Sequence, residues 1–176
     1  GAVASAIADH EPVVMVCSPG HADDVRSLCG RGVTPLEIPI DDSWARDSGP
    51  AFVRNAAGEL AVVAFGFNAW GNRWHPHDND AALGGRLADA FGLRLFRAPF
   101  VLEGGSFFVD GEGTLITTEQ CLLNPNRNPD LDRHTIDAEL CRALGLERVV
   151  WLEKGLVEDA DTDGHVDNIC AFLEPD

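Results

Sequence analysis

Asp47-Ser48-Gly49-Pro50-Ala51-Phe52-Val53 and Glu103-Gly104-Gly105-Ser106-Phe107-Phe108-Val109 match without a gap: an acid, a small residue, a glycine, a turn former, then an apolar stretch ending Phe-Val. Each is followed by a glycine-containing turn, Asn55-Ala56-Ala57-Gly58 in one case and Asp110-Gly111-Glu112-Gly113 in the other. Each turn leads into a second apolar run, 59–65 and 114–118. Two short strands around such a turn read as a hairpin. A third copy opens at Asp163-Gly164-His165-Val166-Asp167-Asn168-Ile169, so the acids stand at 47, 103 and 163, in steps of 56 and 60 residues. A near-constant period of this order signals repeated supersecondary units, none of which buries its apolar face alone.

Outward from the hairpins the pattern continues. Residues 79–91 read as a helix stopped by Gly92, and 93–96 as the next strand. After the second hairpin, a helix near 135–144 ends at Gly145, and 148–152 reads as a strand. Upstream, 13–17 and 34–40 read as strands with a short helix over 22–28 between them. The expected fold is therefore α/β, built from ββαβ units, in a single domain over 1–176 with repeat starts near 47, 103 and 163. If such units close around an axis, the three acids converge on it.

The composition is that of a globular protein, 45% hydrophobic and 24% charged. No apolar run is long enough for a membrane span. The opening GAVASAIADH lacks the positive start of a secretory signal and reads as a helix broken at Glu11-Pro12, so the chain is expected to be cut short there. Twenty-nine acids against 13 bases give a net charge of −16. That field repels nucleic acid and anionic membranes, attracts small cations, and also serves solubility. Cysteines 17, 29, 121, 141 and 170 are odd in number, with no C-x-x-C pair, which argues for a reducing cytoplasm. All five are expected to be buried structural thiols.

Three stretches have the residue types for chemistry. Asp41-Asp42-Ser43-Trp44-Ala45-Arg46-Asp47 places an aromatic among carboxylates, which suits a guanidinium on an alkyl chain; it equally suits a polar turn with Trp44 in the core. Glu103-Gly104-Gly105-Ser106 allows close backbone approach to a ligand, or a simple tight bend. His165-x-Asp167, read as extended, puts an imidazole and a carboxylate side by side, for proton transfer or as a strand-edge pair. Two other stretches read as loops: Trp74-His75-Pro76-His77-Asp78, rather than a metal site, and Asn124-Pro125-Asn126-Arg127-Asn128-Pro129, a turn-rich segment at the rim of a site with nothing catalytic by type. No phosphate-binding loop and no nucleophile elbow occurs.

Taken together, IPIDDSWARDSGPAFV (38–53), LEGGSFFVDGEGTLITTEQCLLNPNRNP (102–129) and DTDGHVDNICAF (161–172) resemble the agmatine deiminase family, which includes the porphyromonas-type peptidylarginine deiminases. The resemblance implies the pentein fold, an α/β propeller of five ββαβ units around a central channel, of which this chain holds about half. It implies hydrolysis of agmatine to N-carbamoylputrescine and ammonia through a covalent thiouronium, without cofactor or metal. By motif, Asp47 and Asp167 hold the guanidinium, His165 is acid and base, Glu103 supports the histidine, Trp44 lines the alkyl part, and Asp42 joins the substrate-binding set. The implied partner is a small cationic substrate in the cytoplasm, with neither nucleic acid nor membrane, and with a homo-oligomer or a missing C-terminal segment completing the ring.

The chain departs from the family in one respect. The family nucleophile lies in a Gly-Gly-Asn-x-His-Cys context, and none of the five cysteines here has it. Cys170 is expected at an apolar position of the third-repeat strand. The chain alone is therefore expected to be inactive. Two alternatives stay open: a peptidylarginine deiminase of the same fold, and a non-catalytic module that binds guanidines or other cations.

Overall fold

A computed structural model describes residues 1–174. The chain divides into two compact units, Gly1–Ser43 and the remainder from Trp44 on. In the first, strands β1 (Val13–Cys17) and β2 (Val33–Glu37) pair in parallel across the helix Ala22–Cys29. Ala4, Cys17, Val25, Cys29 and Val33 form its core. β2 stops short of the expected Ile40. Ile38 still donates to the Cys17 carbonyl at 2.9 Å, but Pro39 has no N–H to continue the ladder.

The second unit repeats one motif twice. Strands β3 (Ala51–Arg54), β4 (Leu60–Gly66) and β5 (Arg94–Val101) form one sheet; β6 (Phe107–Val109), β7 (Thr114–Thr118) and β8 (Arg148–Leu152) form another. In each, the first pair is antiparallel and the second parallel, with Phe52 opposite Val62 and Phe108 opposite Ile116. Both hairpin turns use the same device. Asn55 Oδ1 accepts the N–H groups of Ala57 and Glu59, and Asp110 Oδ1 those of Glu112 and Thr114. The expected ββαβ unit is thus present twice, and the mixed α/β class is as read.

The crossover helices end where glycine permits a left-handed residue: Leu83–Phe91 at Gly92 (φ 64°) and Arg133–Leu144 at Gly145 (φ 71°). The helix expected over 79–91 is split at Ala82, whose N–H is shared between the Asp78 and Asn79 carbonyls. Beneath the second sheet, Phe100, Leu102, Leu115, Cys121, Leu122, Ile136 and Leu140 form the core. Among the described residues no helix is long and apolar enough to cross a membrane.

Asp132 caps Arg133–Leu144, accepting from Thr135 N at 2.8 Å and Thr135 Oγ1 at 2.7 Å, and these bonds hold its carboxyl below the ordinary range. A depressed folded-state value means the stabilisation is present above the unfolded value and is lost as pH falls through the folded one. Asp132→Asn, itself a good cap, is therefore expected to flatten the acid side of the stability curve. Urea midpoints of the two proteins should differ near neutral pH and converge well below about pH 4.

The third copy does not form the expected strand. Asp163 (φ 62°) and Gly164 (φ 85°) are left-handed, and Val166–Asn168 is a 3₁₀ turn. The cause is a side chain outside the motif. The Asp159 carboxylate accepts the N–H groups of Thr162, Gly164 and His165, at 2.9, 3.1 and 3.0 Å. Donors that a ladder would need are thereby consumed by a loop. Cys170 accordingly lies outside any strand, and it and Cys141 are only partly buried, in contrast to Cys17, Cys29 and Cys121.

Candidate active site

Each repeat start is a short turn that delivers its acid inward. In Ala45–Ser48, Asp47 N–H bonds the Trp44 carbonyl at 3.0 Å, and the side chain is turned into the protein. Asp47 Oδ1 accepts the Gly105 N–H at 2.8 Å, and Oδ2 accepts the Trp70 indole N–H at 3.1 Å. The acid of one repeat is thus tied to the second glycine of the next. Burial raises the Asp47 carboxyl above its ordinary value, and the nearby His165 together with these two donors only partly opposes it.

Glu103 is completely buried at the head of the turn Gly104–Ser106. Its Oε1 accepts from Arg127 Nε at 2.6 Å, and its Oε2 faces His165 Nε2 at 3.8 Å. That approach is too long for a hydrogen bond. Burial alone would push the Glu103 carboxyl up, but His165 and Arg127 more than offset it, so it is held below the ordinary range.

His165 is 2% exposed and begins the Val166–Asn168 turn. Its Nδ1 faces Asp47 Oδ1 at 3.8 Å, while Nε2 is buried without a hydrogen-bond partner. The imidazole therefore sits between two carboxylates, one on each nitrogen. Asp167 is more open, with Oδ2 3.6 Å from Arg46 Nε.

Three of these groups meet at Gly105. A methyl group on its Cα would lie 2.5 Å from His165 Nδ1 and 2.8 Å from both Asp167 Oδ2 and Asp47 Oδ1. Gly105 has no positive φ, so here glycine serves close approach rather than backbone freedom. For the guanidine that the family resemblance implies, Gly105→Ala is expected to weaken binding by about tenfold or more, because the displaced oxygens and nitrogen are the groups that would face it. Calorimetry with an alkylguanidine checks this, and unchanged affinity would mean that the ligand lies elsewhere.

Trp44 is 55% exposed and meets Trp70 edge-on, ring centroids 6.3 Å apart. Asp42 belongs to the first unit, where its carboxylate accepts from Ser43 N at 2.6 Å. His75 and His77 lie in a loop, rings 5.1 Å apart, and among the described residues no third ligand joins them within metal-binding reach.

Three residues of the site were not legible beforehand. Arg127, from the loop read as lacking catalytic types, has a fully buried side chain bridging Glu103 and Asp163. Its signal was an arginine enclosed by asparagines and prolines, which fix a turn but do not say what fills it. Trp70 holds φ 56° in the Asn68-capped turn 69–72, an uncommon conformation for a bulky residue. Cys121 lies beneath Glu103, Sγ to Oε2 3.9 Å. Burial first and Glu103 second push its thiol well above the ordinary range, the reverse of an activated nucleophile.

The sequence profile of the Porphyromonas-type peptidyl-arginine deiminases matches residues 1–176. An agmatine deiminase of Pseudomonas fluorescens (strain SBW25) is 47% identical over 185 residues, covering 99% of this chain and 49% of the relative. One from Ectopseudomonas mendocina (strain ymp) is 47% identical over 180 residues, again covering 99% of this chain and 49% of the relative. A solved agmatine deiminase of Enterococcus faecalis superposes with TM-score 0.93 at 39% identity, covering 98% of this chain and 48% of the other. The chain thus spans about half the length of the curated relatives it matches.

Proposed function

This chain belongs to the Porphyromonas-type peptidyl-arginine deiminase family, and we propose that it supplies the guanidine-binding and acid–base half of an enzyme that hydrolyses agmatine to N-carbamoylputrescine and ammonia. The observation that carries the reading is the convergence of Asp47, Asp167 and His165 beside Gly105. A guanidinium is planar, permanently charged and rich in N–H donors. Asp47 Oδ1 and Asp167 Oδ2 offer it two carboxylates, and His165 Nδ1 points at the same space.

In this reading the carboxylates fix the plane of the guanidinium and draw its charge toward their own side, which makes the carbon a better electrophile. A thiolate adds to that carbon. His165 gives its proton to the departing ammonia, then takes one from the water that hydrolyses the thiouronium. Glu103, held ionised by Arg127, stabilises the imidazolium, as a buried carboxylate does behind a catalytic histidine. Trp44, exposed beside Trp70, covers the methylene part of the substrate. Cys121 is unsuited to attack, for the reasons given above. We assign the thiolate to the portion of the full-length protein that corresponds to the half of the relatives this chain does not match. That portion would also complete the five-unit ring to which we assign the two ββαβ sheets described above. Free cysteines throughout the described chain support a cytoplasmic setting.

The test is ammonia release by the full-length protein from agmatine, arginine and a peptide ending in arginine, at matched concentrations. Agmatine is expected to be hydrolysed with the highest kcat/KM. Preference for the peptide would transfer the assignment to peptidylarginine. Binding of agmatine with no ammonia from any of the three would reduce the site to a cation-binding module.

A further inference from the structure

We propose that Glu103, Cys121 and His165 form a buried site for a thiophilic divalent cation of the zinc type, and that its occupation silences the histidine. One ligand atom from each lies within 4.8 Å of the other two. Glu103 Oε2 is the shared corner, 3.8 Å from His165 Nε2 and 3.9 Å from Cys121 Sγ. A cation equidistant from such a triangle stands at most about 2.5 Å from each corner, against roughly 2.0–2.3 Å for zinc–oxygen, –nitrogen and –sulfur bonds. A contraction of a few tenths of an ångström closes the gap. Thiolate, imidazole and carboxylate together are a set that zinc accepts and that magnesium or calcium do not favour.

A second observation points to a ligand independently of the cysteine. His165 Nε2 is buried and has no hydrogen-bond partner, in a side chain 3% exposed, and it is aimed at this triangle. The surroundings also fit. Metal-binding carboxylates and histidines are usually oriented by partners on their far atoms. Here Glu103 Oε1 is held by Arg127 Nε at 2.6 Å, and His165 Nδ1 faces Asp47 Oδ1 at 3.8 Å. On binding, the thiol proton of Cys121 leaves to solvent as the sulfur–metal bond forms, and Nε2 presents its lone pair, so any proton on that nitrogen is also released. The consequence for turnover rests on His165 being the acid and base of the proposed reaction; the binding itself does not.

The full chain is titrated with Co²⁺, a spectroscopic stand-in for zinc. The expected result is a thiolate-to-cobalt charge-transfer band that saturates at one equivalent and is displaced by Zn²⁺. Cys121→Ser loses the band and His165→Ala binds cobalt at least about tenfold more weakly, whereas the pair His75→Ala, His77→Ala leaves both unchanged. Zinc X-ray absorption on the unaltered chain provides a measurement that no folding defect can confuse, with one sulfur and a nitrogen/oxygen remainder expected. No band, a band that survives Cys121→Ser, or zinc bound by two or more sulfurs overturns the site. In the full-length protein zinc then inhibits ammonia release and a chelator reverses it. A confirmed cobalt site with no agmatine turnover would leave the metal inference standing and remove only the proposed reaction.

Discussion

Replacing Arg127 by methionine is expected to destabilise the chain by about 3–5 kcal/mol, the usual loss when one partner of a buried ion pair is removed. The size follows from what remains. Arg127 makes four contacts from a side chain with no exposure: Nε to Glu103 Oε1 at 2.6 Å, Nη1 to Asp163 Oδ2 and Asn126 Oδ1 at 2.7 Å each, and Nη2 to the Thr162 carbonyl at 3.1 Å. Without it, Glu103, completely buried, keeps only His165 at 3.8 Å, while Asp163, whose side chain is 13% exposed, keeps Arg73 and Asn126. Lysine retains the charge but not the planar fork, so Arg127→Lys should recover only part of the loss. The measurement is urea unfolding at neutral pH. Adding Glu103→Gln to the methionine variant should restore much of the stability, since that removes one stranded charge. A loss under about 1 kcal/mol for the single variant would mean that the two carboxylates do not depend on the guanidinium, and the support assigned to Glu103 would then lack its anchor.

Asp47→Asn is expected to weaken agmatine binding by about 30-fold or more, the lower end of the 2–5 kcal/mol range for truncating one partner of a buried charge pair. Asparagine keeps the shape and loses the charge. It also loses an acceptor: Asp47 accepts from Gly105 N on one oxygen and Trp70 Nε1 on the other, and an amide nitrogen can accept neither. One of these donors is left unpaired in either amide orientation, so the Gly105 backbone or the Trp70 ring shifts as well. The effect should appear in KM and kcat together, because in the proposed reaction the carboxylate both binds the guanidinium and directs its charge during attack. Calorimetry with agmatine and steady-state ammonia release in the full-length protein read the two contributions. Unchanged affinity would remove Asp47 from the guanidinium clamp and leave it as a structural tie between the first two repeats.

What the sequence determined by itself is the local part of this protein. Both hairpins, the helix stops at Gly92 and Gly145, and the register between the Asp47 and Glu103 segments could be read directly, because turn chemistry and strand alternation act over a few residues. The order of Asp47, Glu103, His165 and Asp167 along the repeat starts was legible for the same reason. Tertiary structure alone decided how those residues meet. Asp159 turned the third repeat from strand into loop, so that His165 reaches Glu103 and Asp47 from a 3₁₀ turn, and that depended on where one carboxylate lies in space. Arg127 is separated by 24 residues from Glu103 and by 36 from Asp163, and its importance comes from burial with them rather than from the asparagines and prolines around it. Trp70 and Cys121 entered the site in the same way. A buried charge must find its partner wherever the fold delivers one, and short-range pattern has no means of registering that.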